Sequence, residues 1–166
     1  MQQIIQWLKT FMRTPNSLGS TIGELKLLGN YYKITNFHII PINDLSKYSF
    51  EYSKEYNIIL YIEHQKVGHF VAIRTNNTEI QFYEPSGCHS HESIIHKTFG
   101  KSKKIIKNTK TFQSDKNTNC GFYCLHFLKS NLHLTEYNDY LIKKVAKEVR
   151  ILHDELNNNR KNIYKN

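Results

Sequence analysis

Ten residues restrict the fold of this chain more than any others. From Cys120 to Lys129 it reads Cys-Gly-Phe-Tyr-Cys-Leu-His-Phe-Leu-Lys, apolar on several faces for about three helical turns. A helix of this kind has no wide polar face to turn to water, so other elements must wrap it at the centre of a domain. The wrapping elements are visible upstream. Ile58 to Ile62, Gly68 to Arg74 and Glu79 to Tyr83 are β-rich runs, and Thr75-Asn76-Asn77-Thr78 between the last two suits a turn. They predict an antiparallel meander. Glu84-Pro85-Ser86-Gly87 breaks the pattern. Glu92 to Phe99 predicts a short helix, with Gly100 suited to a left-handed C-terminal position, and Lys101 to Thr111 predicts a basic, Ile-centred strand.

The flanks are less regular. Gln2 to Arg13 has apolar residues at Ile4, Ile5, Leu8, Phe11 and Met12, the spacing of a short amphipathic helix that Thr14-Pro15-Asn16 stops. Leu25 to Ile42 contains Gly29-Asn30 and Pro41 and predicts one strand, Phe37 to Ile40. Thr135 is a candidate N-cap for a last helix, with Tyr137, Leu141, Val145, Val149 and Leu152 on one face and Lys143, Lys144, Lys147 and Arg150 on the other. No repeat or Pro/Gly/Ser-rich linker divides the chain. The expectation is one α+β domain over residues 1–166, a small central antiparallel sheet flanked by helices. A chain of 166 residues typically buries roughly 70% of its unfolded surface, enough for a core without disulfides or metal.

No window approaches the ~20 apolar residues of a membrane span, and Met1 to Met12 lacks the basic start and apolar run of a secretory signal. A soluble, intracellular protein with no membrane partner is expected. Cys88, Cys120 and Cys124 make an odd number of cysteines, which fits reduced thiols better than a disulfide framework.

One of those thiols stands where chemistry is possible. A cysteine at a helix N-terminus has its thiolate stabilised by unpaired amides and the helix dipole, and a nearby imidazolium strengthens the effect. His69 lies on one predicted strand, and Glu84, at the end of the next, is placed to fix its ring. Gln113, seven residues before Cys120, can donate its amide to a developing oxyanion beside the Cys120 N–H. Taken singly, each residue has a plainer use: a strand His as structure, a strand-end Glu in water, a helical Cys as a small hydrophobe. Together they describe a thiol acyl-transfer site.

The words His69-Phe70, Glu84-Pro85-Ser86-Gly87, and Gln113 before Cys120-Gly121 resemble those of the adenovirus-type maturation cysteine proteases, relatives of the SUMO and ubiquitin-like-protein proteases. The Glu-Pro form is similar to the viral branch. The resemblance covers about Gly29 to Leu128, with a weaker match from Gly29-Asn30-Tyr31-Tyr32 to Leu45. It implies a papain-like (adenain-like) cysteine protease fold with the nucleophile opening the central helix. It also implies cleavage of capsid or core precursor proteins after Gly or another small residue, by a monomer, in the virion and at the host-cell assembly site. Virophages and virus-like DNA transposons carry such enzymes. Two departures stand out: Phe70 replaces the usual Trp, and no cysteine occurs between Gly100 and Gln113 to bond an activating peptide as in adenoviral members.

The remaining features have plainer readings. Cys124, one turn deeper than Cys120, reads as packing. Cys88-His89-Ser90-His91 with His96 fits no zinc spacing, and no metal or other cofactor is needed for the chemistry. Asp115 and Asn119 are placed to shape the loop that enters the central helix. The net charge is +9, with 23 Lys plus Arg against 14 Asp plus Glu. Lys101, Lys103, Lys104, Lys107 and Lys110 form one basic cluster, and Lys143, Lys144, Lys147 and Arg150 a stripe. Either is a solubilising face or a sequence-independent DNA contact, since adenoviral members use DNA as a cofactor, alongside an activating peptide. Two other functions are consistent with these residues: a deubiquitinase or deSUMOylase acting on host conjugates, and an inactive basic DNA-binding virion protein.

Overall fold

A computed structural model describes residues 22–64, 67–113, 119–140 and 142–164. In chain order its elements are α1 (Ile22–Tyr31), β1 (Phe37–Pro41), a 3-10 segment (Ile42–Lys47), β2 (Tyr56–His64), β3 (Val67–Thr75), β4 (Glu79–Tyr83), α2 (Glu92–Phe99), β5 (Lys104–Lys107), α3 (Cys120–Ser130), α4 (Leu134–Asn138) and α5 (Ile142–Tyr164). The expected helix over Gln2 to Arg13 lies outside the described residues, as does Leu141.

The five strands form one mixed sheet in the order β1-β2-β3-β4-β5. The three middle strands are the expected antiparallel meander, with β3 at the centre. Both edges correct the expectation: β1 runs parallel to β2, and β5 parallel to β4. Hydrophobic alternation shows a strand's faces and not its direction. The connections decide it, because the 3-10 segment and residues 48–55 lead from β1 to β2, and α2 leads from β4 to β5, both long enough for a crossover.

Alternation along β2 and β3 separates two cores. Ile59, Phe70, Ala72 and Tyr83 pack on one face against α1, α3, α4 and α5; Ile58, Leu60, Val71, Ile73 and Phe82 pack on the other against Ile42, Leu45, Ile95 and Phe99. The central helix is as enclosed as its sequence requires, with Cys120 to Leu125, Phe127 and Leu128 all buried.

Three local differences have physical causes. Gly29 is interior to α1 instead of breaking the chain, because the Phe37 ring occupies the space of its side chain: a Cβ there would come within 2.0 Å of Phe37 Cε1. The expected last helix is two helices, α4 and α5, and the N-cap of α4 is His133, whose Nδ1 accepts from Thr135 N at 3.2 Å. Gly100 follows α2 with φ 138° and ψ 115°, a positive φ outside the left-handed helical region.

Arg74 ties sheet to helix. This buried residue near the end of β3 donates to Phe127 O (3.3 Å), Leu128 O (3.4 Å), Leu132 O and Asn57 Oδ1 (3.2 Å), with its guanidinium 4.4 Å from the Phe127 ring centroid. It thus satisfies carbonyls that the end of α3 leaves without helical partners. Among the described residues no helix is long and apolar enough to cross a membrane.

Candidate active site

β3 extends beyond its neighbour. The β3–β4 ladder stops at Ala72↔Tyr83, so Glu84 leaves the sheet just where His69, three residues beyond the ladder end, lacks a β4 partner. His69 Nε2 donates to Glu84 Oε1 at 2.9 Å. The carboxylate is only 4% exposed against 33% for the imidazole, so the acid is held inside while the base faces outward. Glu84 Oε1 also accepts from Ser86 N at 2.9 Å. Burial alone would raise the Glu84 pKa, but the hydrogen bond and charge of His69, with the Ser86 amide, bring it below the ordinary carboxylate value.

Cys120 opens α3, with Asn119 as the N-cap residue, and is 7% exposed. Burial pulls His69 down, yet hydrogen bonding to Cys120 and to Glu84, together with their charges, pushes it up to about 10. With Nε2 committed to Glu84, Nδ1 is the nitrogen left for the thiol. His69 therefore keeps its proton through neutral pH, as an imidazolium between a carboxylate and a sulfur at a helix N-terminus.

The other two cysteines differ. Cys124 is fully buried in the core, and burial pushes its thiol well above the ordinary value, as packing requires. Cys88 is exposed. Gln113 is buried, and its N–H donates to Pro85 O at 2.9 Å, as does that of Phe112 at 2.9 Å. The candidate oxyanion donor is thereby fastened to the turn that carries Glu84. In that turn Gly87 N donates to Glu84 O at 2.9 Å, and Gly87 adopts φ 80° with Thr111 Oγ1 where a Cβ would lie, so only glycine fits without strain. Asp115 lies outside the described residues. Phe70 is buried behind His69, its ring 5.2 Å from that of Tyr61.

Two residues around the site carry no motif. Asn108 and His89 support the Glu84 backbone and the end of β4, Asn108 through hydrogen bonds of 2.8 and 2.9 Å to Glu84 O and N. Sequence polarity gave no sign of either, because an Asn in a Lys-rich run reads as solvent-facing. The histidines from Cys88-His89-Ser90-His91 to His96 each have a separate partner: His89 has Asn108, His91 has Ser90 and His96 has Lys103 O. Among the described residues no group of His, Cys, Asp and Glu stands in a metal-holding arrangement.

The basic residues divide. Lys103 is buried, with its Nζ donating to Tyr52 O at 2.8 Å and to Thr75 Oγ1 at 3.3 Å, so it leaves the set of candidate DNA contacts. Its β-strand neighbourhood, not its charge, decides its position. Lys107 is exposed but paired with Glu92 at 3.0 Å. Lys101 and Lys104 are exposed, Lys110 half-buried, and Lys143, Lys144, Lys147 and Arg150 lie outward on α5 while Val145 and Val149 face the core. No protein-family model matches the chain, and no curated protein matches its sequence.

Proposed function

We propose that this protein is a cysteine endopeptidase of the adenovirus maturation type, with a papain-like fold, that cleaves capsid or core precursors after Gly or another small residue during virion assembly. The single observation that carries this reading is the imidazole of His69 held between the buried Glu84 carboxylate, at 2.9 Å, and Cys120 at the start of the central helix. A surface or binding protein has no need of a protonated imidazole against a thiol.

The chemistry follows from these positions. Cys120 Sγ attacks the scissile carbonyl carbon, and the C–S bond forms as the carbonyl electrons move to oxygen. The Cys120 N–H and the Gln113 side-chain amide receive that oxyanion. The C–N bond then breaks, and the amine leaves with the proton of His69. In the second half, His69 takes a proton from water as the hydroxyl attacks the thioester; the C–S bond breaks and the thiolate is restored beside the imidazolium. Glu84 keeps the ring aimed and its positive form stabilised throughout. These steps require no metal or organic cofactor. The outward lysines of α5, with Lys101, Lys104, Lys107 and Lys110, would hold enzyme and basic precursors on DNA without reading sequence.

The test is co-expression with capsid proteins of the same genome, with mass-spectrometric mapping of new termini. Cuts after small residues that vanish with Cys120→Ala are expected. Cleavage confined to ubiquitin-like conjugates would transfer the enzyme to host deconjugation, and cuts that persist with Cys120→Ala would refute the reading.

A further inference from the structure

Asn108 uses every hydrogen-bonding position of its side chain. Nδ2 donates to Glu84 O at 2.8 Å and to Lys110 O at 2.9 Å. Oδ1 accepts from Glu84 N at 2.9 Å and from His89 Nε2 at 2.9 Å. His89 Nε2 also lies 3.2 Å from Phe82 O; both neighbours are acceptors, so that nitrogen carries the proton. The two bonds to Glu84 take its N–H and its C=O just after β4 ends, where the ladder to β3 has stopped. The side chain is 4% exposed, so water does not substitute for a missing partner.

Only a carboxamide matches this arrangement. A carboxylate would place an acceptor against two carbonyls, and a smaller residue would take this partner from the Glu84 N–H and the Lys110 C=O, leaving Glu84 O only the Gly87 amide and His89 only Phe82 O. The same residue sits at the root of the segment that reaches Gln113. Lys110 O is held by Asn108, and the next contacts, Phe112 N and Gln113 N to Pro85 O, join that segment to the residue after Glu84.

We propose that Asn108 is a positioning residue of the site: it clasps the backbone of Glu84, aims the Glu84 carboxylate at His69, and keeps the Gln113 segment in register with both. The inference rests on the thiol-protease reading of the site. The groups that titrate around it are few. His89 bonds Asn108 directly, Glu84 and His69 face each other beyond it, Cys120 lies past His69, and the neighbouring Lys107 is drawn to Glu92.

The test alkylates the full chain with iodoacetamide and follows Cys120 by mass spectrometry across pH. Asn108→Ala should move the acid limb of Cys120 alkylation up by about one pH unit, a roughly tenfold slower rate on that limb, since a badly aimed carboxylate stabilises the imidazolium beside the thiolate less, while the alkaline limit stays at the wild-type rate. A variant that merely loosens the fold moves no acid limb. Asn138→Ala serves as that comparison, because Asn138 Oδ1 accepts from Thr109 N and Lys110 N in the same segment without touching Glu84; its profile should match wild type. Asn108→Ala added to Glu84→Gln should cost nothing further, because the clasp acts through that carboxylate. A wild-type acid limb in Asn108→Ala, or a full additional loss on Glu84→Gln, would overturn the proposal. Hydrogen exchange on the wild-type protein gives a reading that needs no variant to fold: the Glu84 amide should exchange as slowly as the amides of β4, and fast exchange sinks the clasp. If wild-type Cys120 reacts no faster than Cys88 near pH ~6, the protease reading fails instead. The clasp is then judged by the His69 titration in nuclear magnetic resonance, which Asn108→Ala should move to lower pH and which an unchanged value would contradict.

Discussion

The two ends of the α3–β3 pair handle a buried positive charge in opposite ways. Near the end of β3, Arg74 donates to the carbonyls of Phe127, Leu128 and Leu132 and to the Asn57 side chain, and is 6% exposed. Toward the start of the same strand, His69 has one carboxylate and one thiol, and a third of its side chain meets solvent. The guanidinium is permanently charged and surrounded by acceptors. The imidazolium is charged only because of its partners, and one of those partners is a thiol. Five residues of strand, about 16 Å, and the eight from Cys120 to Leu128, about 12 Å, separate the two ends, so one strand and one helix hold both. On the proposed reading, the Arg74 end serves stability and the His69 end serves chemistry.

The strongest way to break this contrast is at His69. His69→Ala should lower Cys120-dependent cleavage about 10³-fold, the range of a positioned acid–base group, while shifting the denaturant midpoint less than a change at Arg74. If cleavage survived, both ends of the pair would be structural. Next in size, Arg74→Met should cost about 3 kcal/mol of stability, read from denaturant unfolding, because it removes a set of charge-assisted hydrogen bonds that join β3 to the end of α3. The fraction that remains folded should keep the wild-type pH profile of Cys120 alkylation. A changed profile would join the two ends into one device.

A smaller effect sharpens the site itself. Glu84→Gln keeps a hydrogen-bond acceptor for His69 but removes the charge, and cleavage should fall about tenfold, the equivalent of one pKa unit of stabilisation lost by the charged ring. Wild-type turnover in that variant would reduce Glu84 to a strand end. The smallest effect is in stability against pH. His69 is raised in the folded protein, so its contribution is complete below its ordinary 6.5 and is lost as pH rises toward about 10. Glu84 is lowered, so its contribution is complete above its ordinary 4.5 and is lost as pH falls through its depressed value. The stability difference between wild type and Glu84→Gln should therefore be largest between those two ordinary values and shrink toward alkaline pH. A difference that grows with pH would reverse the assigned charges.

Much of this was legible in the chain. β4 and α2 stand at the expected residues, and the structure brings His69, Glu84 and Cys120 together, with Glu84 and Cys120 at element boundaries that Pro, Gly or a change of period marks and His69 near the start of β3. What escaped reading depends on what lies opposite in space. Gly29 punctuates a sequence but accommodates Phe37 in the fold. Lys103, Arg74 and Asn108 carry polar side chains that look solvated until the strand next door buries them. The direction of β1 and β5 is set by their connections, which leave no mark on hydrophobic alternation.

The most direct measurement of the central claim is labelling with a peptide electrophile that ends in a Gly-derived Michael acceptor, followed by mass spectrometry of all three cysteines. The account expects the label on Cys120, its loss in His69→Ala, and full labelling in folded Arg74→Met. A label on Cys88 or Cys124 instead, or labelling of Cys120 that is indifferent to His69, would contradict it.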